Sequence, residues 1–380
     1  MGGNYNNVPR ITPKLGQMPN PYLKPERVEQ LNFGFDLSVL KGRATLTVDV
    51  YQKVISDMLF SRSLNSATGF SSTTTNGASM LNKGFEVALG FRPLPQTSKF
   101  YWNFSVNAAV NKDALLTLPG GVTQIISSSD YGPIVTKVGR NTLSNFLYVS
   151  QGVYSNDNDV PVDPVTGLRY RNAAGGYYQA GDMNYSDIDG NYITNSRDLQ
   201  IAGNPVPRVT GGFYSTMTYK AWSLTMSGTV LMKRDLLNNA LSERLGNLYY
   251  PYGNKPNAGA LTLPDISEYN YWKQPGDKAK YPNPLQYYGN TDNYNGSQTL
   301  FQEDGSYFKL NALTLGYTFK KDWIRRARMN NARIYLTGAN LLMLSSYSGP
   351  NPENVTELGR DRLDSYPVAP SYTFGLNLEF

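Results

Sequence analysis

The chain has 380 residues, with 35 basic and 29 acidic side chains, a net charge of +6, and neither Cys nor His. The two absences exclude disulfides, thiolate nucleophiles, imidazole bases, His-ligated metals and any Ser–His–Asp triad. Its 29 Tyr and 17% charged residues describe a folded chain, and the scattered positive charge leaves no nucleic-acid footprint.

The first seven residues lack both the basic and the apolar regions of a signal peptide. No apolar run exceeds four residues, as in Phe146–Val149 and Leu341–Leu344, so no membrane helix of about 20 residues is encoded. A membrane β-barrel passes that test, because its strands alternate. Leu31, Phe33, Phe35, Leu37 and Val39 share one face, opposite Asn32, Gly34, Asp36 and Ser38. Ala44, Leu46, Val48 and Val50 answer them across a tight turn at Lys41-Gly42. Phe85–Phe91 and Phe100–Val110 alternate next. Then come Val209–Tyr219 and Trp222–Val230 across Lys220-Ala221, Leu313–Phe319, Ile334 with Leu336, and Tyr372–Phe380.

Alternation alone fits a soluble sandwich equally well, but length does not. Soluble strands cluster near about 5–6 residues, whereas a tilted membrane strand needs about 9–11. Leu31–Val39, Phe100–Val110 and Tyr372–Phe380 belong to the longer class, and their polar faces are rich in Asn, Ser, Thr and Gly. The connections agree: Lys41-Gly42, Arg92–Ser98 and Lys220-Ala221 are short, while residues 61–79, 111–133, 155–207, 232–305 and 341–365 are long. Two further strands are expected at Ile134–Val138 and Asn145–Tyr154. The total is then about eleven, an odd number that makes the chain part of a barrel, since closed single-chain bacterial barrels have even counts. Residues 1–26 would form an external loop before the first strand, and residues 27–380 the barrel portion.

Several segments then become familiar in order: Asn20-Pro21-Tyr22-Leu23-Lys24-Pro25-Glu26, Asn82-Lys83-Gly84-Phe85-Glu86, Gly181-Asp182-Met183 and Asp187-Ile188-Asp189-Gly190-Asn191. Gly203-Asn204-Pro205-Val206-Pro207-Arg208, Asp304–Leu310, Leu313–Phe319 and the terminal Phe380 follow. In this order and spacing the chain resembles the C-terminal half of the SusC/RagA-type TonB-dependent transporters of the Bacteroidetes outer membrane. The resemblance implies an all-β, antiparallel, transmembrane barrel of about 22 strands with a plugged lumen, of which this chain supplies the last half, open and incomplete by itself. It implies TonB-coupled uptake of oligosaccharides or peptides, a SusD-like surface lipoprotein as lid, and contact with TonB through an N-terminal part not represented here. Phe380 would end the outer-membrane insertion signal. Alternatives are a passive porin-type channel and a soluble carbohydrate-binding β-sandwich.

One constellation has ligand spacing. Asp187, Asp189, Asn191, Ile193, Asn195 and Asp198 occupy positions 1, 3, 5, 7, 9 and 12 of a calcium loop, with Ile193 offering its carbonyl. Tyr192 stands where such a loop wants Gly, and Asp198 replaces the bidentate Glu. The competing reading is a turn-rich acidic loop built on Asx-turns. The aromatic segment with Tyr249, Tyr250, Tyr252, Tyr271, Trp272, Tyr287 and Tyr288 is expected to stack on sugars or a partner, or to pack the loop on itself. No carboxylate pair at catalytic separation and no phosphate loop emerges, so no enzyme is expected.

Overall fold

The computed structural model describes residues 3–5, 8–10, 16–95, 97–129, 132–142, 144–246, 265–284, 291–320, 323, 328–361 and 368–380. Nine long strands dominate them: β1 (Arg27–Val39), β2 (Ala44–Ser63), β3 (Ser72–Phe91), β4 (Phe100–Thr117), β5 (Val209–Tyr219), β6 (Trp222–Met232), β7 (Tyr307–Thr318), β8 (Asn331–Ser345) and β9 (Ser371–Glu379). An α-helix spans Asn239–Gly246. The chain divides into two compact units.

In the first unit, β1 to β5 pair antiparallel in consecutive order. The register aligns the period-two faces into rows. Phe33, Val50, Phe85, Val110 and Val209 stand side by side, as do Leu37, Leu46, Leu89, Val106 and Phe213. The opposite face carries Gly34, Asp49, Glu86 and Ala109 in one row and Asn32, Tyr51, Gly84 and Asn111 in another. Tyr51 lies over Gly84, where a Cβ would meet its hydroxyl at 2.8 Å, and donates to Asn111 Oδ1 at 3.0 Å. Polar cross-strand contacts of this kind are what a wet face demands.

The apolar rows are not pressed against a second sheet. Leu31, Phe33, Phe35, Val50 and Phe85 are all exposed, Phe33 by 73%. A two-layer sandwich would bury these side chains, gaining about 1.5–3 kcal/mol for each. The antiparallel membrane wall is the architecture that leaves them outward, and the sandwich alternative fails on this point.

The strands run farther than the alternation alone indicates. β2 and β3 are 20 residues each, roughly 65 Å at about 3.3 Å per residue. Even tilted they overshoot a hydrocarbon core of about 30 Å. Their far ends pair Ser61, Arg62 and Ser63 with Thr74, Thr73 and Ser72, so the expected loop 61–79 shrinks to the segment between β2 and β3. Part of the expected opening loop lies along this hairpin: Gln17–Met18 pairs with Ser72–Thr73, and Asn76 bridges the Lys24 backbone.

The two strands expected at Ile134–Val138 and Asn145–Tyr154 do not enter the wall. β4 pairs directly with β5, Phe100 opposite Tyr219 through Val110 opposite Val209. Residues 132–137 and 144–148 instead pair with each other in a separate four-stranded sheet. At six and five residues they are too short to cross a bilayer. Their apolar residues are also enclosed: Val135 is 1% exposed and Leu147 0%. Without them the count of wall strands stays odd at nine among the described residues, but the expected alternation of short and long links is lost at β2–β3 and β3–β4, which are joined by equally short segments, 64–71 and 92–99.

In the second unit, β7, β8 and β9 pair antiparallel, with Leu315, Leu336 and Phe374 in one apolar row. Thr314 and Thr337 bond on the polar side at 2.8 Å. Tyr335 covers Gly375 there, the same device as Tyr51 over Gly84.

Candidate functional site

The connection between β4 and β5 folds around tyrosine. Tyr154, Val160, Tyr170, Tyr178, Met183 and Tyr185 form a buried cluster. Tyr170 and Tyr178 stack at 5.2 Å between centroids. Met183 N–H donates to Asn293 Oδ1 at 2.9 Å, and Asn293 Nδ2 donates to the buried Asp182 carboxylate at 2.7 Å. The connection between β6 and β7 is thereby fastened to the same core. Residues 346–361 join it: Tyr347 donates to Asp361 Oδ2 at 2.7 Å, and both Asp361 oxygens accept the Ala240 N–H at the start of the helix.

The acidic loop lies beside this core. Asp187, Asp189 and Asp198 bring one carboxylate oxygen each within 4.8 Å of one another. Backbone donors hold them. Asp187 accepts from Gly190 and Tyr192, and Asp198 accepts from Ile188 and Asn195, all at 2.8–2.9 Å. Tyr192 takes a left-handed φ of 58° at the sharp turn where Gly was expected, a conformation that costs a non-glycine residue roughly 1–2 kcal/mol. Its ring packs against the tyrosine cluster, which offsets that cost. Asn191 Oδ1 accepts from Ile193 N–H, Ile193 O accepts from Asn195 Nδ2, and Asn195 Oδ1 accepts from Arg197 N–H. Three of the six expected ligands are therefore gathered as carboxylates, and the other three serve the loop's own turns.

Charge is concentrated here. Asp198 is fully buried, and burial, with Asp187 and Asp189 nearby, raises its carboxyl above the ordinary value. Burial first, then the charges of Asp198, Asp187 and Asp189, pushes the Tyr170 hydroxyl up as well. The Tyr154 hydroxyl has no hydrogen-bond partner among the described residues. Arg197 Nη1 stands 3.6 Å from Asp189 Oδ2 and neutralises one edge of the cluster.

The aromatic segment behaves differently from the contact surface expected of it. Tyr249, Tyr250, Tyr252, Tyr287 and Tyr288 lie outside the described residues. Trp272 is only 7% exposed; its Nε1 donates to Ser155 O at 3.1 Å, and its ring covers Gly181, where a Cβ would clash at 2.7 Å. It packs the loop and is not free to stack on a ligand. Tyr271 is half-buried beneath the Lys273 ammonium. Phe380 is 77% exposed. The tyrosine cluster itself was missed in the sequence, although the density of Tyr between residues 148 and 192 was its signal.

Residues 1–341 match a family model described as TonB dependent receptor-like, β-barrel. TonB-dependent receptor P3 of Formosa agariphila is 28% identical over 381 residues, covering 96% of this chain and 35% of that protein. TonB-dependent receptor SusC of Bacteroides thetaiotaomicron is 27% identical over 377 residues, covering 95% of this chain and 32% of that protein. The chain therefore spans about a third of the length of such relatives. Among solved structures, the RagAB peptide transporter superposes with a TM-score of 0.75 at 20% identity, over 100% of this chain and 38% of that one. The same importer in its "open-open" state gives 0.68. These likenesses carry the fold.

Proposed function

The chain belongs to the TonB dependent receptor-like, β-barrel family, and from that premise we propose that it forms wall and external loops of an outer-membrane nutrient importer energised through TonB. The observation that supports this best is the exposed apolar face of the long strands, Leu31, Phe33, Phe35, Val50 and Phe85, which only acyl chains would solvate favourably. Its cargo is an oligosaccharide or a peptide, and a SusD-like surface lipoprotein closes over the loops. No residue performs covalent chemistry: strands supply the wall and loops supply the contacts. Phe380, exposed at the end of β9, completes the outer-membrane insertion signal.

The acidic loop takes Ca²⁺ in this reading. Asp187, Asp189 and Asp198 supply hard oxygen donors in the grouping such an ion prefers. The ion would offset the mutual repulsion of the carboxylates and the burial of Asp198. Calorimetry on the full-length parent, titrated with CaCl₂ against the Asp187→Asn/Asp189→Asn variant, should give heat in the first and none in the second. Equal heats would dismiss calcium.

Import is tested in cells. Accumulation of labelled maltodextrins or of a defined peptide mixture should require both the full-length parent gene and TonB, and should cease with a protonophore. Uptake that survives the protonophore would favour the passive channel.

A further inference from the structure

We propose that the open pocket at the end of β6, opposite the Lys220–Ala221 turn, binds an acidic group, a phosphate or carboxylate carried on a small polar molecule. The pocket holds about 510 Å³ and is lined by Asn204, Arg208, Met232, Lys233, Arg234, Asp235, Asp304 and Ser306. That volume suits a ligand the size of one or two sugar rings.

Its charges are unequally committed. Asp235 Oδ2 accepts the Asn204 N–H at 2.7 Å, and Asp304 Oδ1 accepts from Ser306 N–H at 2.9 Å and Ser306 Oγ at 2.6 Å. Both carboxylates thus fix the loop backbone. Among the described residues none of the three cations has a carboxylate within ion-pair distance, and the side chains of Arg208 and Lys233 have no partner. Lys233 has a left-handed φ of 59°. This breaks the strand alternation that would send neighbouring side chains to opposite faces, so Lys233 and Arg234 line the same pocket.

Arg234 is pre-organised. Its Nε donates to Pro205 O at 2.8 Å and its Nη1 to Pro352 O at 3.2 Å, leaving Nη2 without a partner among the described residues. Carbonyls orient the guanidinium but do not neutralise it, and burial pulls it below its ordinary value. A half-desolvated cation with two free cations beside it forms a donor set for an oxyanion, while the Ser306 hydroxyl, donating to Asp304 and accepting from Lys233 N–H, holds the loop that carries them. Two sources share this chemistry: a dissolved acidic solute and the phosphate of a lipid headgroup.

The test uses the full-length parent in neutral detergent, titrated calorimetrically with inorganic phosphate. Saturable binding is expected, weakening as NaCl is raised. The Arg208→Gln/Lys233→Gln variant alters exposed side chains only, and its folding is checked by heat-modifiable gel mobility. It should bind phosphate at least roughly tenfold more weakly. Absence of saturable binding at tens of millimolar phosphate, or equal affinity in the folded variant, overturns the site. Repeating the titration in phosphatidylcholine vesicles with and without phosphatidic acid separates the sources: competition by phosphatidic acid assigns a lipid headgroup, and unchanged affinity assigns a soluble ligand. Phosphate binding is read without transport, so its failure leaves the import reading standing, and a failure of import leaves the site standing.

Discussion

The wall and the tyrosine-cored loop place similar side chains in opposite surroundings. On β1, Leu31 and Phe33 are 75% and 73% exposed, whereas in the β4–β5 connection Tyr178 and Met183 are 0% exposed. One region turns its apolar groups outward and lines its other face with Asn, Asp, Thr and Tyr. The other encloses them together with the hydrogen-bonded Asp182 and Asp198, and leaves Asp157, Asp159 and Asp189 at the surface. A single chain therefore answers two solvents, and the direction in which apolar groups point identifies the solvent of each region. Residue choice follows. Val, Leu and Phe suffice against acyl chains, while a small core beneath water-exposed loops uses Tyr, whose rings fill space but whose hydroxyls need partners.

The comparison is most sharply broken at the loop core. Tyr178→Ala should cost about 3–5 kcal/mol of loop stability and leave the wall unmoved. Hydrogen exchange on the full-length parent should show lost protection confined to residues 148–201; equal loss in β1–β4 would mean that one cooperative core serves both. Next in size is Phe33→Arg. Near the bilayer midplane an arginine on the lipid face costs about 2–4 kcal/mol, whereas at a water-exposed site such a change usually stays within about 0.5 kcal/mol. Refolding titrations in vesicles should show the large value, and a negligible one would return this face to water.

Asp198 gives a smaller, pH-dependent effect. Its folded-state pKa is raised above 3.8 by burial, so the folded loop binds more protons than the unfolded one in the interval between. Stability should accordingly fall as pH rises through the raised value and be fuller below it. Asp198→Asn should flatten this slope when local opening is followed by hydrogen exchange between mildly acidic and neutral pH. A slope unchanged by the substitution would place its origin elsewhere. The smallest effect belongs to the β5–β6 turn. Lys220 sits at a left-handed φ of 55°, a conformation Asn tolerates better. Lys220→Asn should stabilise the wall by less than about 1 kcal/mol in a urea unfolding titration.

Much of the wall was legible in the residues because strand alternation is a local, period-two property. The rows through Phe33, Val50 and Phe85 follow from it once a register is set. Partnership was not legible. The segments at Ile134–Val138 and Asn145–Tyr154 carry apolar residues as wall strands do, and only their shortness and enclosed neighbours send them to a separate sheet. The acidic loop was legible as spacing, since Asp187, Asp189 and Asp198 are close in sequence and the turn at Tyr192 folds them together. Trp272 was not, because its burial depends on Gly181 and Ser155, about a hundred residues away along the chain.

By itself the sequence determined that this chain would make long antiparallel strands with one greasy and one wet face, because side-chain direction in a strand depends only on neighbouring residues. Tertiary structure alone decided that β4 lies against β5 across the whole intervening connection. It alone gathered Arg208, Lys233, Arg234 and Ser306 around one pocket. Such groupings depend on how distant loops close and which core encloses them, and no local pattern of residues encodes that outcome.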